Sequence, residues 1–255
     1  MFNSLNQDLN NIGLKQSSRL NNQLKLLAQN KDTSYLISIK NLENGSFLAE
    51  ENKAVNGIYF ILKGKVKVFN TEMNQKTKIF RLASSGDIVG FSSLNSVNYW
   101  SSAIAIENVE AYFINLKSLR YILKNNSKLS FLFINALALK LHHYEMRQRY
   151  LNLFPAQERV IEILLLTANK FGNANRYGIE ITDCISRKEI ASFANTSTEN
   201  AIRSHRSLNS KNYISIVGKK IIIKNKEALI NQLKQYCCAN NLKVGVHTCY
   251  LDLFY

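Results

Sequence analysis

A chain of 255 residues with 46% hydrophobic and 20% charged side chains can fill the cores of two ordinary domains, which excludes a disordered or fibrous polypeptide. Its net charge of +15 points to acidic partners, but the excess is spread out: residues 1–154 hold 19 Lys/Arg against 10 Asp/Glu, and residues 155–236 hold 13 against 7. No run of about 18 apolar residues is present to span a membrane. The polar N-terminus lacks a signal core. Four irregularly placed cysteines (Cys184, Cys237, Cys238, Cys249) suit a reducing compartment, either a bacterial-type cytoplasm or an organelle stroma.

Residues 1–34 form a polar leader rich in Asn and Gln, in which Leu20, Leu24 and Leu27 at helical spacing predict a loose helix. Residues 35–116 read as an all-β unit. Tyr35–Lys40 alternates, and Ile58–Leu62 and Val66–Phe69 flank Lys63-Gly64-Lys65, which predicts a hairpin with a glycine turn. Lys78–Leu82, Gly86-Asp-Ile-Val-Gly90, Ala103–Ile106 and Ala111–Ile114 complete a set of short strands that implies a sandwich or barrel. No nucleophile–base pair, paired carboxylates or metal-ligand cluster stands out, so neither catalytic nor metal-ligating residues are assigned.

From residue 117 to 153 the period changes. Leu129, Leu132, Ala136, Leu139, His143, Met146, Tyr150 and Leu153 follow one another at steps of three and four, which predicts a helical seam for a homodimer through residues 129–153. A second stripe, Phe133, Leu137, Leu141 and Tyr144, is expected to lie against the β unit. Pro155 ends that helix or opens the next. Val160, Ile163, Leu164 and Ala168 give the following helix a core face, and Ile179–Ile181 reads as a short strand.

The most informative stretch is Ser186–Ile214. Ser186 and Glu189 have the spacing of a capping box, and Ile190, Ala191 and Ala194 give a small apolar face. Asn195 sits where the chain must turn through a left-handed conformation, and Thr196 or Ser197 opens a second helix. Ala201, Ile202 and Leu208 are expected to anchor it. Its other side carries Ser197, Thr198, Glu199, Asn200, Arg203 and Arg206. Ile214–Val217 and Lys220–Lys224 around Gly218 predict a hairpin wing. From Arg203 to Lys226 there are seven Lys/Arg and no Asp or Glu, the charge pattern that a phosphate backbone attracts. The prediction is a winged helix-turn-helix over residues 154–234, its helix-turn-helix near 186–206, followed by a tail at 235–255 whose Cys237, Cys238, His247 and Cys249 lack metal-site spacing.

This order of parts resembles the CRP/FNR family of bacterial transcription regulators over roughly Tyr35 to Lys234. The resemblance is carried by Lys63–Val68, Gly86–Phe91, Ser186–Ile214 and the wing. Within the family, Ala103–Glu110, Glu145-Met146 and Ile214–Lys224 are similar to the nitrogen-control (NtcA) subgroup of cyanobacteria and plastids. The resemblance implies an α+β fold: an N-terminal cyclic-nucleotide-binding-like β-roll, a long dimerisation helix and a C-terminal winged helix-turn-helix. It implies a non-enzymatic regulator, cytoplasmic or in the plastid stroma, that binds double-stranded DNA at palindromic operators as a homodimer, with RNA polymerase as a further partner and no membrane.

It also implies an effector site at Gly90, Phe91, Ser92, Lys140 and Glu145. Cyclic-nucleotide members hold the phosphate with an arginine that this chain lacks, since no Lys or Arg occurs between Leu82 and Leu116; this disfavours cAMP. For 2-oxoglutarate, the effector of the nitrogen-control subgroup, one cation is replaced by Tyr99 and the other by Lys140, while Glu145 is retained. No cofactor is fixed by the sequence. On the DNA side, Glu199 and Arg203 are assigned to base contacts, Ser197, Thr198 and Asn200 to short-range contacts, and Arg206, Lys219 and Lys220 to the phosphate backbone. The alternative is an effector-binding or structural protein whose winged helix contacts protein.

Overall fold

Strand β3 explains how the N-terminal part is layered. In the computed structural model, which describes residues 19–72, 77–181, 185–218 and 220–239, both faces of this strand are buried. Ile58 and Phe60 point one way, into a cluster with helical leucines, and Tyr59 and Ile61 point the other way, into a cluster of small and β-branched residues. The period of two thus builds two cores from one strand.

Helix α1 covers residues 19–29 and is followed by β1 (Ser38–Leu42), β2 (Phe47–Ala49), β3 (Gly57–Lys63), β4 (Val66–Thr71), β5 (Thr77–Ala83), β6 (Ile88–Val89), β7 (Ser102–Ala105) and β8 (Val109–Asn115). Two four-stranded sheets result, in the orders β1-β8-β3-β6 and β2-β7-β4-β5. Between them lie Ile61, Val66, Val68, Ala83, Val89, Ala103, Ala105 and Ala111. On the other side of the first sheet, Leu20 and Leu24 of α1 are buried with Ile58, Phe60 and Ile114. The leader helix is therefore part of the core rather than a loose appendage.

The Lys63-Gly64-Lys65 stretch is not a hairpin. β3 pairs with β8 and β6, and β4 with β7 and β5, so the glycine carries the chain from one sheet to the other. Gly64 has φ +99°, and a Cβ there would lie 2.5 Å from the Asn108 carbonyl oxygen. The glycine signal in the sequence was real, but it marks a crossing and a close approach.

Helix α2 (Leu116–Asn125) and helix α3 (Ser127–Leu153) replace the single helix expected over 117–153. Asn115 caps α2, its Oδ1 accepting from the Ser118 N–H at 2.9 Å, and Asn126 accepts from the Leu129 N–H at the same distance, restarting the helix after the break. The expected seam is also corrected. Leu129 and Leu132 are buried in their own unit with Phe133, and Tyr150 is buried as well. α3 leaves exposed Phe131, Ile134, Ala138 and Leu141, again at steps of three, four and three, and, of the expected seam, its last residue Leu153. Two stripes with the same spacing lie side by side, and only the packing of the sheet distinguishes them. Leu141 was expected against the β unit and is exposed, whereas Phe133 and Leu137 do pack there.

The chain divides into two compact units at Leu141/His142. In the second, helix α4 (Ala156–Phe171) is the central post: Val160, Ile161, Ile163, Leu164 and Leu165 are fully buried. Pro155 is its N-cap. Around it stand β9 (Asn173–Asn175), β10 (Gly178–Ile181), α5 (Arg187–Phe193), α6 (Thr198–Ser210), β11 (Ile214–Val217), β12 (Lys220–Ile223) and α7 (Lys226–Ala239). The four strands form one antiparallel sheet, β11-β12-β10-β9.

Candidate functional site

The turn between α5 and α6 is fixed by short-range chemistry. Ser186 and Glu189 complete a capping box at the start of α5. At its end Asn195 takes φ +48°, and the Thr196 N–H donates to the Ala191 carbonyl at 3.0 Å. Ser197 then caps α6, its Oγ accepting from the Asn200 N–H at 3.2 Å.

α6 turns Ala201, Ser204, His205 and Leu208 inward. Ile202, expected as an anchor, is only half-buried, and His205 was missed. This histidine is buried, and neither ring nitrogen has a hydrogen-bond partner among the described residues. Desolvation, and secondarily the charge of Arg187, push its pKa down to about 4.

Of the side chains assigned to DNA, Ser197, Glu199, Arg203 and Arg206 are exposed, whereas Thr198 and Asn200 are half-buried. Asn200 leans back toward the turn, its Nδ2 3.4 Å from Thr196 Oγ1. Glu199 is held ionised by its own backbone N–H and by the Ser197 hydroxyl, so it is an acceptor and not a donor. The wing pairs Val217 with Lys220 across a two-residue turn in which Gly218 has φ +60°. Arg187, which sequence reasoning did not single out, donates from Nη2 to the Gly218 carbonyl at 2.8 Å and ties the start of α5 to the tip of the wing. Lys220 Nζ lies 2.8 Å from Glu180 Oε1, so one of the cations assigned to phosphate has a carboxylate beside it. Lys219 falls outside the described residues, as do Cys184, His247 and Cys249.

In the first unit, Gly86 and Gly90 both adopt left-handed φ, +86° and +85°, and bracket β6. Phe91 follows, half-buried, with Ser92 exposed. The Arg81 guanidinium lies 5.0 Å from the Phe91 ring centroid and Lys140 Nζ lies 6.0 Å from it. Lys140 also makes an ion pair of 2.8 Å with Asp87 Oδ1, while Asp87 Oδ2 accepts from the Ser84 N–H at 3.0 Å. Arg81 donates to the Ile88 carbonyl at 2.8 Å. The structure thus brings Gly90, Phe91 and Lys140 together and adds Arg81 and Asp87, which the sequence reading left out. Arg81 lies immediately before the stretch that is free of cations, and its side chain reaches Ile88 and Phe91, so tertiary packing supplies a charge that a linear window excludes. Glu145 is exposed on α3 and belongs to the other unit.

Tyr99 is buried. Its hydroxyl lies 2.6 Å from Asn56 Oδ1 and 2.8 Å from the Gly57 carbonyl, and accepts from the Gly57 N–H at 3.3 Å. Its ring fills the space beside Gly90, where a Cβ would approach Tyr99 Cε1 to 3.3 Å. Among the described residues no group of three or more His, Cys, Asp or Glu is placed to hold a metal ion, and no helix is long and apolar enough to cross a membrane.

Comparison with known proteins places both units. Residues 39–126 match the cyclic nucleotide-binding domain family and residues 158–231 match the Crp-like helix-turn-helix domain family. The chain is 25% identical over 193 residues to the anaerobic regulatory protein of Bacillus subtilis, covering 74% of this chain and 81% of that protein. It is 27% identical over 178 residues to the global nitrogen regulator of a Nostoc species, covering 69% and 80%. Among solved structures, a CRP-family transcriptional regulator from Thermus thermophilus superposes with a TM-score of 0.67 at 17% identity, over 76% of this chain and 96% of that one.

Proposed function

The chain belongs to the CRP/FNR family of DNA-binding transcription regulators, and from that premise we propose that it acts as a homodimer on two-fold symmetric operators, with α6 as the recognition helix. The observation that carries the reading is the exposed row Glu199, Arg203 and Arg206 on a helix capped and anchored on its opposite side. Arg203 is suited to a guanine edge and the ionised Glu199 to a cytosine amine; Ser197, Thr198 and Asn200 make short-range contacts. Arg206 and the wing lysines 219 and 220 meet phosphate, Lys220 after release from Glu180. The dimer forms along the exposed seam Phe131, Ile134, Ala138 and Leu141 of α3, whose spacing suits a second copy of the same helix.

Likeness to the Nostoc global nitrogen regulator supports nitrogen control as the role, and 2-oxoglutarate is the effector that the resemblance to the nitrogen-control subgroup implies. Such a dicarboxylate meets Lys140, Phe91 and Arg81, and it must compete with Asp87 for the lysine. The test is selection from a random DNA pool at two salt concentrations, with and without 2-oxoglutarate. Enrichment of a palindrome is expected, and tightening by 2-oxoglutarate would add nitrogen control. Weak, salt-sensitive binding without enrichment would move the reading to a winged helix that contacts protein.

A further inference from the structure

Arg147, in the C-terminal part of α3, reaches into the helix-turn-helix. Arg147 donates from Nη2 to the Phe193 carbonyl at 2.6 Å, its guanidinium carbon lies 4.0 Å from the centroid of the Phe193 ring, and its Nε lies 3.6 Å from Glu162 Oε1. Phe193 is the last residue of α5, so its carbonyl is at the end where backbone acceptors lack helical partners and where a cation is favoured. Glu162, on α4, is fully buried and requires a charge beside it. One planar side chain therefore satisfies a helix end, stacks on an aromatic ring and neutralises a buried carboxylate. A lysine could not do all three.

What it holds is the turn that aims α6. Ala194, next to Phe193, is fully buried, Asn195 is left-handed, and Ser197 begins the recognition helix. Arg147 itself is mostly buried, with 12% of its side chain exposed, and its donors are directed inward. Building on the regulator reading above, we infer that Arg147 is a positioning residue for DNA reading: within the second unit it fixes the end of α5 against the C-terminal part of α3 and so sets the turn from which α6 starts.

The test uses the full chain with Arg147→Met combined with Glu162→Met, which removes the buried carboxylate along with its cation. Affinity for the selected operator should fall roughly ten-fold or more, whereas affinity for random DNA of equal length stays within about two-fold and its salt slope is unchanged, because no phosphate contact is lost. Equal losses on both DNAs, or no loss, would overturn the role. A second measurement needs no DNA. Amide hydrogen exchange at residues 194–197 should quicken about ten-fold or more in the variant, with α4 and the wing hairpin held within about two-fold. Unchanged exchange at the turn, or uniform quickening through α4, overturns the proposal. If the unmodified protein selects no DNA sequence, the regulator reading fails, and the exchange result still decides whether Arg147 holds the turn.

Discussion

Lys140 and Asp87 form an ion pair of 2.8 Å across 53 positions of sequence, joining α3 to the turn that precedes β6. Both side chains are largely buried, 19% and 13% exposed, so removing one partner strands the other in a poorly solvated place. Lys140→Met should destabilise the first unit by about 1–3 kcal/mol, and adding Asp87→Asn should recover part of that loss. A denaturant double-mutant cycle measures it; additive effects would show that the pair contributes no coupling. Under the dicarboxylate reading, Asp87→Asn also removes the carboxylate that competes for the lysine and should tighten 2-oxoglutarate binding in calorimetry. Weaker binding in that variant would count against competition for Lys140.

Arg203 and Arg206 are both exposed on α6, one turn apart, and are expected to behave differently. Arg203→Ala should relax sequence preference by about 1–3 kcal/mol. Arg206→Ala should weaken all sequences alike and lower the salt slope by about one. Competition between the operator and single-base variants, repeated at two salt concentrations, separates the two roles. A sequence-selective loss for Arg206 would reverse its assignment.

The buried His205 makes stability depend on pH. Its pKa is about 4 in the fold against an ordinary value near 6.5, so the unfolded chain takes up a proton that the folded chain refuses. Its contribution is complete above pH 6.5 and is lost as the pH falls toward 4, on the order of 3 kcal/mol in total. Thermal or urea unfolding of His205→Leu, compared with the parent between pH 7 and pH 4, should show a flatter profile over that window. An unchanged slope would mean that other groups govern it.

On α3 the two neighbouring stripes should respond oppositely. Ile134→Asp and Leu141→Asp lie on exposed positions and should shift the protein toward monomer in sedimentation while leaving the fold intact. Leu129→Ala, at a position 1% exposed, should cost about 2–5 kcal/mol of stability. Dimers that survive both aspartates would place the interface elsewhere.

What the sequence made legible was local. The capping box at Ser186 and Glu189, the left-handed Asn195 and the cap at Ser197 are each encoded within four residues, and all stand as expected. The glycine wing is equally short-range. What stayed hidden required partners far away in sequence. The crossing at Gly64 is decided by β8 and β7, not by its flanking strands. His205 escaped because a search for apolar anchors passes over a histidine, and the Asp87–Lys140 pair escaped because neither residue has a sequence neighbour that announces the other. On α3 the burial of Leu129 and Leu132 of the expected seam was hidden for a related reason: two stripes share one spacing, and only packing against the first unit distinguishes them.

The crossing at Gly64 also bears on how the chain is made. β1 finds its partner in β8, with Ser38 opposite Phe113 and Leu42 opposite Val109, and β3 pairs with the same strand. The first sheet is therefore incomplete on a ribosome until Asn115 has emerged, and until then β1 and one edge of β3 lack their partner. The second unit has distant pairings of its own, Ile179 with Ile223 for instance, but its α5–turn–α6 segment and its wing hairpin close between neighbours in sequence. The N-terminal unit is thus the one whose nascent form is most exposed to proteases and aggregation, and where slowing translation or removing β8 should be felt first.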